Sequence, residues 1–168
     1  MAKAEIAGQL PIAEGGTKER ILLIAAELFS TRGYHATGMA ELEKATGLGR
    51  GALYHHIGSK EELLFDITSR SLRVLIAKGI PLSETDLPAE EKFRRFSSVV
   101  MRAIVDHLAE MTVCFREVYS VIGERKIELL DLHRQYEQIW SAILKSGVEE
   151  GVFITADSLA VKGILGIH

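Results

Sequence analysis

Apolar side chains recur every three or four residues along this 168-residue chain, and no useful length alternates apolar with polar residues. A strand has a period of two and a helix one of 3.6, so the pattern commits the chain to helices. The pattern is interrupted most sharply in "ATGLGRGALYHHIGSKEEL", Ala45 to Leu63, where Gly47, Gly49 and Gly51 precede Leu53, Tyr54, His55 and His56. Glycine costs a helix interior roughly 1 kcal/mol relative to alanine, so such a cluster needs a reason. Two short helices joined by a brief glycine-containing turn form a helix-turn-helix. Gly47 stands where that turn needs a left-handed backbone. Gly49 and Gly51 strip bulk from the first turn of the next helix, so its backbone N–H groups can approach a phosphate or a base edge.

The flanking segments read as further helices. Thr17 is placed to cap a first helix with Ile21, Ala25, Leu28 and Phe29 inward, stopped by Gly33 after Arg32. A second spans about 39–45 with Met39 and Leu42 inward, and a third runs from Gly49 or Arg50 to about His56 with Leu53 and Ile57 inward. Ser59 and Glu62 form a capping box that opens a long fourth helix carrying Leu63, Ile67, Leu72 and Ile76. "KGIPLSETDLPAEE" reads as the main loop. A helix through Phe93, Phe96, Val100, Ile104 and Leu108 follows, then Met111 to about Ile122 and Glu128 to about Ser146. After a break over 147–151, Thr155 or Asp157 starts one more helix through Leu159, Ile164 and Leu165, and its unclosed apolar face leads us to expect chain beyond His168.

Net charge is −3, but it is unevenly spread. Thr17 to Lys60 holds six basic and four acidic side chains plus His35, His55 and His56, whereas residues 61–168 hold 13 basic and 17 acidic ones. A mildly basic head on an acidic body suits a module that touches phosphate. No apolar run reaches the roughly 18 residues of a membrane span, and the first 16 residues read as a flexible tail without the features of a secretion signal. One cysteine, Cys114, excludes an internal disulfide and fits a reducing, cytoplasmic setting.

Catalysis finds no support: no nucleophile–base arrangement, paired carboxylates or phosphate loop stands out. His55 and His56 are adjacent on a helix and point about 100° apart, which makes a poor metal pair. Asp106, His107, Cys114 and His133 lack a short ligand pair, so neither a metal nor any other cofactor is expected. Met101, Met111, Phe115, Tyr119, Tyr136 and Trp140 are bundle-core residue types, and the side chains that line an apolar ligand cavity are of the same kind.

"RILLIAAELFSTRGYHATGMAELEKATGLGRGALYHHIGSKEELL" resembles the DNA-binding head of the tetracycline-repressor-type (TetR) transcriptional regulators. The matching elements are Ala25-Ala26 and Leu28-Phe29, then "RGYHAT" (Arg32 to Thr37), then the glycine-rich segment with its step into the fourth helix. The resemblance implies an all-α fold: a helix-turn-helix head over 17–62 and a larger ligand-binding and dimerisation body over 63–168. It implies phosphate contacts from Thr37, Tyr54 and Lys60, with Gly38 on the same surface, and groove-facing positions at Arg50, Gly51, Ala52 and His55. The chain departs from the family pattern at Gly38, where Ser or Thr is common, at Glu43, often alanine, and at Gly49, often serine. The resemblance further implies a homodimer on a near-palindromic operator and repression relieved by a small effector wedged between body helices, in a pocket lined by Met101, Met111, Phe115, Tyr119, Tyr136 and Trp140. The stretch from Cys114 to Phe153 is similar to regulators of lipid or steroid catabolism, which implies an apolar, steroid-related or acyl-CoA-like effector. An effector-independent DNA-binding protein and a helical-bundle metalloprotein with metal at His107 and His133 are the competing expectations.

Overall fold

The computed structural model describes residues 16–157 together with 160, 161 and 163. Among these, seven α-helices and one short 3-10 turn account for the regular structure, and no strand occurs. They are α1 (Thr17–Arg32), α2 (Met39–Thr46), α3 (Arg50–Ile57), α4 (Lys60–Ser83), α5 (Ala89–Asp106), α6 (Leu108–Arg116) and α7 (Gly123–Glu149), with the 3-10 turn at Val118–Ser120 between the last two. The expected tail lies outside the described residues, apart from Gly16, as does most of the expected last helix.

The head forms because α1 supplies a continuous apolar face of Ile21, Ala25 and Phe29, on which Leu42 of α2 and Leu53 and Ile57 of α3 close. Met39 contributes only from the edge of that core. Gly16, not Thr17, is the N-cap of α1, and no side chain caps it. Ser59 does cap α4, its hydroxyl accepting from the Glu62 N–H at 3.0 Å. Leu63, Ile67, Leu72 and Ile76 are all buried, as their spacing requires. One unbroken buried cluster runs from Ile21 through α4 to Trp140, with α4 packed along α7 and α1 resting on α6.

Four boundaries differ from the sequence reading. Helix α4 does not stop before Gly79 but runs through Gly79 and Pro81 to Ser83. A Cβ on Gly79 would lie 2.7 Å from Ile139 Cδ1 and from Phe96 Cε2, so the missing side chain is what lets α4 seat on α5 and α7. Pro81, exposed in the last turn, removes a single ladder donor, and the helix ends two residues later at Ser83. Helix α5 ends at Asp106, because His107 (φ −136°, ψ 48°) turns the chain, and Leu108 is 64% exposed instead of inward. Helix α6 is shorter than expected, giving way at Glu117 to the 3-10 turn. Helix α7 is longer at both ends and passes through Gly147, where a Cβ would meet the Phe153 ring. Beyond it the chain folds back: the N–H groups of Val152 and Phe153 both donate to the Gly147 carbonyl, and the Glu150 carboxylate accepts from the Ala89 N–H, capping α5.

The body core is aromatic. Phe96 lies 4.7 Å from Trp140 and 6.0 Å from Tyr136 between ring centroids, and Phe93 meets Trp140 and Phe153 edge-on. His133, one turn before Tyr136, has its Nε2 buried without a hydrogen-bond partner, and burial holds its imidazole below the ordinary 6.5.

Two stability measurements check this packing. Gly47 has φ 70° with open space beside it, so Gly47→Ala should cost about 1 kcal/mol through backbone strain alone. Gly79→Val should cost roughly 2 kcal/mol by overpacking, and Gly51→Ala, inside α3 with nothing packed against the added methyl, should cost nothing and gain up to about 1 kcal/mol. Urea unfolding of the three variants gives the comparison. For His133, a folded-state pKa below the unfolded value means that the unfolded chain binds more protons in acid. Stability should fall as pH drops through about 6.5, and His133→Gln should flatten that fall.

Candidate nucleic-acid interface

The α2–α3 turn is built from local bonds. Gly47 takes the left-handed conformation and donates its N–H to the Glu43 carbonyl. The Thr46 hydroxyl donates to the Leu42 carbonyl at 2.7 Å and accepts from the Leu48 N–H at 3.4 Å. With Leu53 and Ile57 anchored inward, the opposite face of α3 presents Arg50, Gly51, Ala52 and His55 to solvent. Among the described residues, nothing beyond the adjoining backbone lies within 4 Å of a Cβ built on Gly38, Gly49 or Gly51. Internal packing therefore does not require these glycines, and the thin surface they leave faces outward.

Tyr54 is half-buried, with the Arg50 guanidinium 5.8 Å from its ring centroid. Lys60 opens α4 and holds its Nζ 4.3 Å from the centre of the Tyr34 ring, and desolvation there lowers its pKa. Tyr34 is itself buried edge-on against Phe29, and burial, with Glu61 and Glu117 nearby, pushes its phenol up to about 12. Thr37 departs from expectation. It is fully buried and its hydroxyl donates to the Gly33 carbonyl at 2.9 Å, so the side chain pins the α1–α2 turn and offers no free hydroxyl to a phosphate. Gly38 beside it is exposed at the start of α2.

The head is tied to the body at the same turn, through residues that periodicity did not single out. The Glu117 carboxylate accepts from the Tyr34 N–H at 3.3 Å and from the Ser120 hydroxyl at 2.7 Å. Ser120 Oγ lies 3.2 Å from His35 Nε2, and the Arg116 guanidinium donates to the Ser30 carbonyl at 3.2 Å. The sequence reading ran one helix through Arg116, Glu117 and Ser120 to about Ile122, so no break marked them.

The six expected body residues do not gather around one cavity among the described residues. Met101 is 58% exposed on the outside of α5 and Tyr119 is 76% exposed on the 3-10 turn. Phe115 is half-buried, while Tyr136 and Trp140 are sealed in the aromatic core. Met111 alone lines a cleft of about 320 Å³ between α1, α4 and the α5–α6 junction, shared with Leu22, Leu23, Ile67 and Val74. Most of that lining comes from α1 and α4, helices whose apolar residues the sequence assigns to core. The metal alternative gains no geometry either. His107 pairs with Glu110 at 3.5 Å, Cys114 is buried with Sγ 3.6 Å from the Thr68 carbonyl, and no three ligating side chains come together among the described residues.

Comparison with known proteins agrees with this arrangement. Residues 21–67 match the model of bacterial regulatory proteins of the tetR family, and residues 86–168 match that of the tetracyclin repressor-like C-terminal domain. The transcriptional repressor KstR2 of Rhodococcus jostii (strain RHA1) is 29% identical over 141 residues, covering 83% of this chain and 69% of the repressor. The structure of PfmR, a TetR family transcriptional regulator from Thermus thermophilus, superposes with a TM-score of 0.78 at 37% identity, covering 88% of this chain and 81% of that one. KstR2 of Mycobacterium tuberculosis superposes with a TM-score of 0.81 at 25% identity, covering 90% and 79%. On the two family matches and the likeness to PfmR, this chain belongs to the TetR family of bacterial transcriptional regulators.

Proposed function

We propose that this chain is a cytoplasmic repressor that holds an operator through the exposed face of α3 and releases it when a small apolar effector binds. The observation that carries this reading is the outward face of α3, thinned by glycine and fixed from behind by buried Leu53 and Ile57. Arg50 has the reach and fork to bond a guanine edge bidentately, the Ala52 methyl suits a thymine methyl, and Tyr54 and Lys60 flank the helix for phosphates. Two heads of a homodimer would meet successive major grooves of a near-palindromic site. KstR2 of Mycobacterium tuberculosis is a ketosteroid transcriptional regulator, which supports an apolar effector for this relative. Repression of this kind needs no catalytic step, and no described helix is long and apolar enough to cross a membrane.

Coupling from body to head runs through the Glu117 contacts. An effector that favours one seating of α6 against α1 biases the Tyr34 turn and, through it, the base of α2 and α4. Effector and operator affinities must then be linked reciprocally. The effector-independent alternative would suit a body packed solid, whereas this one carries the α1–α4–α6 cleft.

Selection of operators from random duplex DNA, followed by titration, tests the DNA-facing assignment. Arg50→Ala should weaken the selected operator roughly 10- to 100-fold and relax preference at one base pair of each half-site. Unchanged affinity and preference would remove Arg50 from base readout. Glu117→Ala should leave base preference intact but change operator affinity roughly fivefold, the scale of about one hydrogen bond. The same titration reads it.

A further inference from the structure

We propose that the cleft between α1, α4 and the α5–α6 junction binds a neutral, mainly hydrocarbon molecule bearing one or two oxygen functions, of the class of long-chain alcohols and ketones. The proposal presupposes the effector-responsive function above and supplies its site. The cleft exists because His107 both ends α5, donating its N–H to the Ala103 carbonyl, and starts α6, its carbonyl accepting from the Met111 N–H. That turn carries Ala103, His107 and Met111 down one wall, opposite Leu22 and Leu23 of α1, over a floor of Ile67 and Val74. The space of about 320 Å³ equals roughly ten water volumes. Water among such walls finds few partners, so an apolar chain of about ten carbons displaces it favourably.

The charges at the lip choose the ligand's head. Glu19, Arg70, Ser71, His107 and Glu110 are the polar lining residues. Glu110 is engaged by His107 Nδ1 at 3.5 Å, and the Ser71 hydroxyl donates to the Ile67 carbonyl at 3.4 Å. That leaves Glu19 and Arg70, neither of which makes an ion pair among the described residues. His107 carries charge only when protonated, so the lip sets two carboxylates against one guanidinium and offers an anionic head no cationic surplus, and a charge buried unpaired against apolar walls is disfavoured. A dipolar group fits both, its oxygen accepting from the Arg70 guanidinium and any hydroxyl donating to Glu19. The position matters as much as the chemistry. Leu22 and Leu23 belong to the helix that floors the head, so an occupant sits directly between head and body, and any difference in its affinity for their two seatings shifts the operator equilibrium.

The four methionines, Met1, Met39, Met101 and Met111, allow a direct test on the full chain by carbon-13 labelling of their methyl groups. Titration with decan-1-ol should shift the Met111 signal to saturation while Met39 and Met101 stay in place. Decanoate and decanoyl-coenzyme A, with the same chain and charged heads, should bind at least tenfold more weakly. Ala103→Phe fills the cleft and should weaken the decan-1-ol response at least tenfold, with Met39 and Met101 reporting that the fold persists, and Val74→Phe is the second such variant. A Met111 signal unmoved by decan-1-ol, or an undiminished response in both filled variants, would overturn the site. Tighter binding of either charged probe would overturn the neutral class. Operator release is measured separately. Occupancy of Met111 without release keeps the site and removes the effector function, whereas release that survives filling of the cleft keeps the function and removes the site.

Discussion

Helix α4 is the member on which everything else rests. Its 24 residues span about 36 Å. Its first turn lies in the head beside Tyr34 and its last turn is wedged by Gly79 against Phe96 and Ile139. Because it is buried along most of its length, with Leu63, Leu64, Leu72 and Leu75 almost wholly inaccessible, it cannot bend freely to absorb a displacement. Its packing joins the head and the body through one continuous helix. The polar clasp of Arg116 and Glu117 on the turn before α2 gives that joint a second point of purchase.

The division between rigid base and bare surface explains the spending of glycine in the head. Leu42, Leu53 and Ile57 fix α2 and α3 to α1 without help from Gly38, Gly49 or Gly51. Stability is supplied on one side of an eight-residue helix, which leaves the other side free to be shaped for a groove. His55 belongs to that outer side and His56 is half-buried beside it, their rings edge-on at 5.4 Å, and no third ligating group joins them among the described residues.

The head was legible because local rules and burial agree there. Gly33, Gly47 and Ser59 end or begin helices where their chemistry says they must, and the 3.6-residue spacing picks out Ile21, Phe29, Leu42 and Leu53. The body was less legible because tertiary contacts overrule local signals. Gly79, Pro81 and Gly147 read as breaks, yet each lies within a helix, and two of the three are glycines because an aromatic ring occupies the space of a side chain. The break at His107 was read slightly late, between Leu108 and Met111, since nothing local forbids a helix from continuing through His107. Thr37 shows a limit of a different kind. Position marked it as a phosphate contact, but which way its hydroxyl turns depends on the Gly33 carbonyl, which only coordinates reveal. The body's apolar residues were equally ambiguous, for a Met or Trp that fills a core and one that lines a cavity share the same spacing.

The lone sulfhydryl of the chain has a consequence for how the protein responds to its surroundings. Cys114 is fully enclosed against α4, and burial pushes its thiol up to about 12, so almost none of it exists as the reactive anion at neutral pH. Peroxide and disulfide exchange have no foothold on such a group. In the folded chain this thiol is shielded from the solvent that would carry an oxidant to it.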